Sequence, residues 1–238
     1  TGIVSSLHDL PAGAIWPLSD IIRHKTLIED AGMVWSVVES VPLHNDVKTR
    51  SGNYVEYIKN YQQTIINLGK AGITTVCYNF MPVVDWTRTN LSYSLPNTSQ
   101  ALRFEMTDFI AYDVYMLQRD NAENDYTAEQ LSIARNRFDS LTDTERTLLE
   151  KNIIAGLPGG EGSYDREGIR EAIAEFIALG TEGYRANLFA FLHDIIPVAE
   201  EAGVKMCIHP DDPPFSLFGL PRVVSTADDA RAILNAVE

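Results

Sequence analysis

Residues 203–214 read GVKMCIHPDDPP. An apolar run stops at His209, Pro210 stiffens the exit, and Asp211 and Asp212 follow before two more prolines. An imidazole nitrogen suits a divalent transition metal, and carboxylates can complete such a shell. The ordinary alternative is a hydrogen-bonded histidine at a strand end. Other apolar runs also finish in ligand-capable side chains: His8 and Asp9, Glu39 and Ser40, and Asn79. An acid ending WSVVES is costly to bury without a partner, which singles out Glu39. His8 reads equally well as a turn cap. The segment DWTRT sets Trp86 and Arg88 just beyond a third apolar run. An arginine there can take a carboxylate in a two-pronged hydrogen bond. Arg222 is a weaker second cation. His24 and His193 fall in helical patterns and read as surface or core residues, and His44 lies in a loop with no role assigned.

Three segments must position these groups: LIEDAGMVWSVVES, INLGKAGITTVCYNF and VAEEAGVKMCIHPDD. Each ends an amphipathic helix at Ala-Gly and then starts a β-rich apolar run. Gly32, Gly72 and Gly203 sit where a helix C-terminus favours a left-handed residue. The pattern predicts strands near 3–7, 33–39, 73–79 and 204–208, and helices near 17–31, 52–70, 185–202 and 226–237. Strands alternating with helices argue for a parallel α/β sheet with helical crossovers. Their continuous apolar character predicts that both faces are covered. In such folds ligands bind beyond the carboxyl ends of the strands, where the polar residues fall. His8 and His209 lie six residues after their glycines, whereas Glu39 and Asn79 lie seven after theirs. Side chains alternate along a strand, so all four converge only if registers differ or a strand has already ended.

Between Phe80 and Arg185 this rhythm breaks. Helices are predicted near 106–118, 127–138, 142–153 and 164–179, with Thr127 and Thr142 as N-caps and GLPGGEGSYD as a loop. So long an insertion, 81–184, is expected to cap a site. Pro197 predicts a kink or restart in the following helix.

Composition excludes several classes. Lys and Arg total 19 against 33 Asp and Glu among 238 residues, a net charge of −14. That offers no footprint for nucleic acid or an anionic membrane. No apolar run is long enough to span a bilayer, and TGIVSSLHDL has no basic leader region. Cys77 and Cys207, both in apolar runs, read as buried free thiols in a reducing cytoplasm. No phosphate loop, dinucleotide fingerprint, G-x-S-x-G elbow or H-E-x-x-H pair occurs. GLPGGEGS is glycine-rich but follows a helix instead of a strand.

The strings GMVWSVVESVP, GNYVEYIKNYQQT, TVCYNFMPVVDWTRT, LRFE, NIIAGLPG, PVAEEAGVKMCIHPDDPP and GLPRVVST closely resemble the mannonate dehydratase family, across essentially the whole chain. The resemblance implies a TIM-like (β/α)8 barrel of the xylose-isomerase type. It also implies loss of water from D-mannonate to give 2-dehydro-3-deoxy-D-gluconate in hexuronate breakdown, with Mn2+ or Fe2+ as the metal. The histidine of the family's HPDDPP motif is a metal ligand, which makes His209 the metal residue here. The other ligands and the catalytic acid and base fall beyond Glu238. The expected architecture is therefore a single incomplete barrel domain, 1–238, of about four parallel strands with the 81–184 insertion. The expected behaviour is a segment inactive unless complemented. In this reading Arg88 and Asn79 orient the sugar acid, Trp86 shields it, and Glu39, His8 or Asp211 bind hydroxyls. The expected partner is the small-molecule sugar acid, with no nucleic acid or membrane partner and with homo-oligomer assembly left open. The rivals are a sugar isomerase on the same scaffold and a non-catalytic sugar-acid-binding fragment.

Overall fold

A computed structural model describes residues 1–155 and 165–237. Its frame is β1 (Gly2–Ser5), α1 (Leu18–Asp30), β2 (Val34–Glu39), α2 (Asn45–Thr49), α3 (Tyr54–Lys70) and β3 (Thr75–Tyr78). The inserted elements are β4 (Asn90–Ser94), β5 (Gln100–Arg103), α4 (Met106–Ile110), α5 (Ala128–Ser140) and α6 (Asp143–Ala155). The frame resumes with α7 (Arg166–Glu201), β6 (Lys205–Ile208) and α8 (Ala227–Leu234). The predicted loop GLPGGEGSYD lies outside the described residues except for Asp165, the N-cap of α7.

The helix-to-strand joins follow from their glycines. Gly32, Gly72 and Gly203 have φ of 74°, 75° and 67°. Each closes two hydrogen bonds over the helix end: Gly32 N to Glu29 O and Met33 N to Ile28 O, Gly72 N to Gly69 O and Ile73 N to Leu68 O, Gly203 N to Glu200 O and Val204 N to Ala199 O. This is the Schellman pattern, which satisfies terminal carbonyls while turning the chain back along the helix. It delivers each following strand in the same direction. The result is a parallel sheet in the order β1-β2-β3-β6.

Helices cover one face of that sheet. Trp35, Val38, Val76 and Tyr78 point into the core, where Phe191 of α7 stacks against Tyr61 of α3, Tyr78 and Phe80. Apolar positions 58, 61, 65 and 68 of α3 bury at helical spacing. The other face, which points inward in a closed barrel, is open: Val4 and Val34 are 56% and 57% exposed. The prediction that both faces are covered therefore fails. The apolar strands form a four-stranded parallel sheet with helices on one face only. Cys77 and Cys207 lie on this open face, half-buried and exposed respectively, so the expected burial of both thiols also fails.

The insertion opens with an antiparallel hairpin, β4–β5, that is not among the predicted elements. NLSYS alternates polar and apolar residues, yet all of β4 is exposed, and Arg103 stacks 4.4 Å over the Tyr93 ring. α4 continues as a π-helical turn, Ala111–Leu117, whose buried Asp113 accepts two hydrogen bonds from Arg119 and one from the Tyr126 hydroxyl. Thr127 caps α5 as expected. The two helices predicted on either side of residue 180 are the halves of α7, separated at Gly180 (φ 68°, ψ 173°). The restart expected at Pro197 is not there; Gly180 is the non-helical residue of α7. No described helix is long and apolar enough to cross a membrane.

α3 approaches the end of α7 so closely that a Cβ on Gly69 would sit 2.4 Å from the Ala202 carbonyl oxygen. Valine gains only a few tenths of a kcal/mol over glycine in helix propensity, whereas overpacking against backbone costs about 1–3 kcal/mol. Gly69→Val is expected to lower the urea midpoint accordingly. An unchanged or raised midpoint contradicts the contact.

Candidate functional site

The carboxyl ends of the four parallel strands meet at one end of the sheet. Glu39 is the last residue of β2, Asn79 follows β3 and His209 follows β6. In register, Glu39 pairs with Cys77 and Cys77 with Cys207, two residues before Asn79 and His209. Side chains two residues apart share a face, so Glu39, Asn79 and His209 fall on the same side of the sheet. The unequal spacings from the glycines are absorbed by the strand registers: Asn79 and His209 continue past the Tyr78–Ile208 pair, His209 N donating to Tyr78 O at 2.8 Å and its Nε2 lying 4.0 Å from Glu39 Oε1. β1 and β2 are also out of step between Ile3 and Val4.

The tautomer of His209 follows from its partners. Nδ1 is 2.7 Å from the Pro210 carbonyl oxygen, which can only accept. Nε2 is 3.3 Å from Trp86 Nε1, which can only donate. The proton therefore sits on Nδ1, and Nε2 presents its lone pair beside Glu39. The Trp86 ring stands edge-on to the imidazole at 5.1 Å between centroids. A histidine whose second nitrogen is fixed by a backbone carbonyl has the arrangement that orients metal ligands.

Ser40 links the neighbouring tips. Its carbonyl accepts from Ser6 Oγ at 2.6 Å, and its hydroxyl accepts from Asn79 Nδ2 at 3.2 Å. Asn79 Oδ1 is buried and has no hydrogen-bond partner among the described residues, leaving an acceptor for a ligand hydroxyl.

The remaining candidates are engaged elsewhere. The Arg88 guanidinium grips Asp212 with both forks, at 3.2 and 2.6 Å, so an incoming carboxylate must compete with that pair. Asp211 is buried, its Oδ2 accepting from Val224 N and Ser225 Oγ, both at 2.8 Å, with Arg222 Nη1 3.7 Å from Oδ1. That geometry is a clamp on the returning 222–225 loop. His8 is exposed in the turn after β1. It lies on the side of His24, whose pKa is lowered by burial and then by the charges of His8 and Arg23. His24 itself bonds Ser5 Oγ at 2.9 Å. His44 caps α2, its Nδ1 accepting from Asp46 N.

Sequence reasoning missed Lys48. It is 3% exposed and lies 3.5 Å from Asp85 of the DWTRT loop. A lysine in a polar stretch carries no mark of burial, and its partner sits in a distant loop. Tyr184 was also missed. Its hydroxyl donates to Phe80 O at 2.7 Å, and its pKa stands well above the usual value through burial, then Asp211 and Asp85.

Among the described residues no three His, Cys, Asp or Glu side chains are grouped to hold a metal. The lone pair of His209 fits one position of a metal shell that the described residues do not complete. The site otherwise offers a carboxylate, an amide oxygen and an indole wall, a set suited to a polyhydroxylated ligand.

A family model described as D-mannonate dehydratase (UxuA) matches residues 1–238. The chain is 72% identical over 237 residues to a mannonate dehydratase of Saccharophagus degradans, covering 100% of this chain and 60% of that protein. It is 50% identical to a mannonate dehydratase of a Marinomonas species, covering 100% of this chain and 61% of that one. The crystal structure of mannonate dehydratase from Streptococcus suis serotype 2 superposes with a TM-score of 0.70 at 34% identity, over 99% of this chain and 53% of that one. The chain thus spans about three fifths of the length of these curated relatives.

Proposed function

The chain belongs to the D-mannonate dehydratase (UxuA) family, and from that premise we propose that it forms part of a hydro-lyase acting on D-mannonate, giving 2-dehydro-3-deoxy-D-gluconate and water. The observation that carries this reading is the 72% identity to a mannonate dehydratase along the whole chain. The strand-tip geometry supports it. His209 would hold a divalent metal, Mn2+ or Fe2+, through Nε2. When bound, that metal would act as a Lewis acid toward the charge that develops beside the substrate carboxylate. Glu39, adjacent to Nε2, accepts from substrate hydroxyls, and the free Oδ1 of Asn79 takes another. Trp86 walls the site on the side of the DWTRT loop. Arg88 orients the substrate carboxylate by exchanging it for Asp212. His8 and Asp211 are weaker hydroxyl contacts, given their places beside His24 and Val224. We assign residues 1–238 to one incomplete barrel domain and give the 81–184 insertion the role of a cap. The protein is placed in the cytoplasm, in sugar-acid catabolism.

Incubating the complete enzyme with D-mannonate and Mn2+ tests the reaction. A 2-keto-3-deoxy acid, detected by its periodate–thiobarbiturate chromophore, is the expected product. An isomerised sugar acid that keeps all its hydroxyls would overturn the assignment. The same assay on this chain alone, with and without the rest of the barrel, separates a catalytic unit from a binding fragment. No turnover is expected from the chain alone.

The Trp86 indole N–H and a metal compete for the same lone pair. Trp86→Phe keeps a ring and removes the donor. A single net hydrogen bond is worth about 0.5–1.5 kcal/mol, so metal affinity is expected to rise by roughly 2–10-fold in a calorimetric titration of the complete protein. Weaker binding contradicts the assigned tautomer.

A further inference from the structure

Three side chains form a row across the open face of the sheet. Glu39 on β2 is in register with Cys77 on β3, and Cys77 is in register with Cys207 on β6. Both cysteines are free. Registered residues on adjacent parallel strands point to the same side, and the strands lie about 4.7–4.9 Å apart. A disulfide spans Cα atoms about 4.4–6.8 Å apart. The Cα spacing therefore falls in the range of a bridge, and closing it draws the two Cβ atoms together to the roughly 3.5–4.5 Å of a disulfide. The two thiols also differ in access, Cys207 being exposed and Cys77 half-buried.

We propose that Cys77 and Cys207 form a cross-strand dithiol that two-electron thiol oxidants of the small-molecule disulfide class close into an intramolecular disulfide beneath the strand-tip site. The exposed Cys207 sulfur attacks one sulfur of the reagent. An S–S bond of the reagent breaks, a protein–reagent mixed disulfide forms, and one reagent thiol departs with the proton of Cys207. The Cys77 sulfur then attacks the Cys207 sulfur, loses its own proton and displaces the second reagent thiol. Two protein thiols are oxidised and one reagent disulfide is reduced to two thiols. Burial, followed by Glu39 and Cys207, pushes the Cys77 thiol up to about 12. That suits Cys77 to the second step, where a neighbouring sulfur compensates for a scarce thiolate, and not to the first encounter.

The test uses 5,5′-dithiobis(2-nitrobenzoate) on the native chain, read by absorbance and intact mass. The expected result is release of two equivalents of thionitrobenzoate per chain, no retained adduct, and a mass lower by two hydrogens, restored by dithiothreitol. Cys77→Ser should release one equivalent and keep the adduct on Cys207. Cys207→Ser should react far more slowly and form no bridge. A stable adduct on Cys207 in the native chain, two retained adducts, or no reaction at all would each overturn the proposal. Serine is nearly isosteric with cysteine, and circular dichroism of both variants checks that they are folded. None of these readouts depends on dehydratase turnover, so the dithiol stands or falls apart from the proposed reaction.

Discussion

His209→Ala in the complete enzyme lowers kcat/KM for D-mannonate by at least about 100-fold, since even partners that only orient a metal ligand contribute 10–100-fold. The argument rests on direction as much as identity. The Pro210 carbonyl holds the proton on Nδ1, and this aims the Nε2 lone pair at the space beside Glu39. Alanine removes that donor and leaves the rest of the strand tip in place, because the backbone bond from residue 209 to Tyr78 does not involve the side chain. The imidazole is 29% exposed, so little packing is lost with it. The expected signature is thus a collapse of metal-dependent turnover with a thermal midpoint near that of the parent protein. Retention of kcat/KM within tenfold would remove His209 from the mechanism.

Asp211→Ala is expected to act in the opposite way, mainly on stability. Its carboxylate accepts from Val224 N and Ser225 Oγ and faces Arg222, whose side chain is 7% exposed. Removing one member of a buried charged pair costs about 3–5 kcal/mol, because the other is left uncompensated. The urea midpoint should fall with an unchanged slope. If the midpoint stays put while KM for D-mannonate rises, Asp211 is a substrate contact after all. His209 and Asp211 are two residues apart in one motif, yet they separate into an outward-facing ligand and an inward-facing clamp.

The sequence made the parallel frame legible because its signals are local. Ala-Gly before each apolar run announces a helix end, and the three left-handed glycines bear that out. The direction of His209 could not be read, since it depends on the register of β6 against β3 and on Trp86, more than a hundred residues away. The same distance hid the Arg88–Asp212 pair, 124 residues apart, which occupies the cation that looked free. The β4–β5 hairpin was legible in the alternation of NLSYS and the turn residues of LPNTS and was overlooked, the alternation being only five residues long on a strand that buries neither face. Covered and open faces of the sheet were indistinguishable: a barrel interior and a helix-covered face are both written in Val, Ile and Cys.

The repeated helix stop bears on how the chain is made. Each stop is closed by bonds reaching no more than five residues back, such as Met33 to Ile28 and Val204 to Ala199. Such a turn can set as soon as it leaves the ribosome, where synthesis proceeds at about 5–20 residues per second and N-terminal parts fold first. Every strand after a stop is then presented to its predecessor already pointing the right way, so the sheet can be laid down in the order in which it is translated.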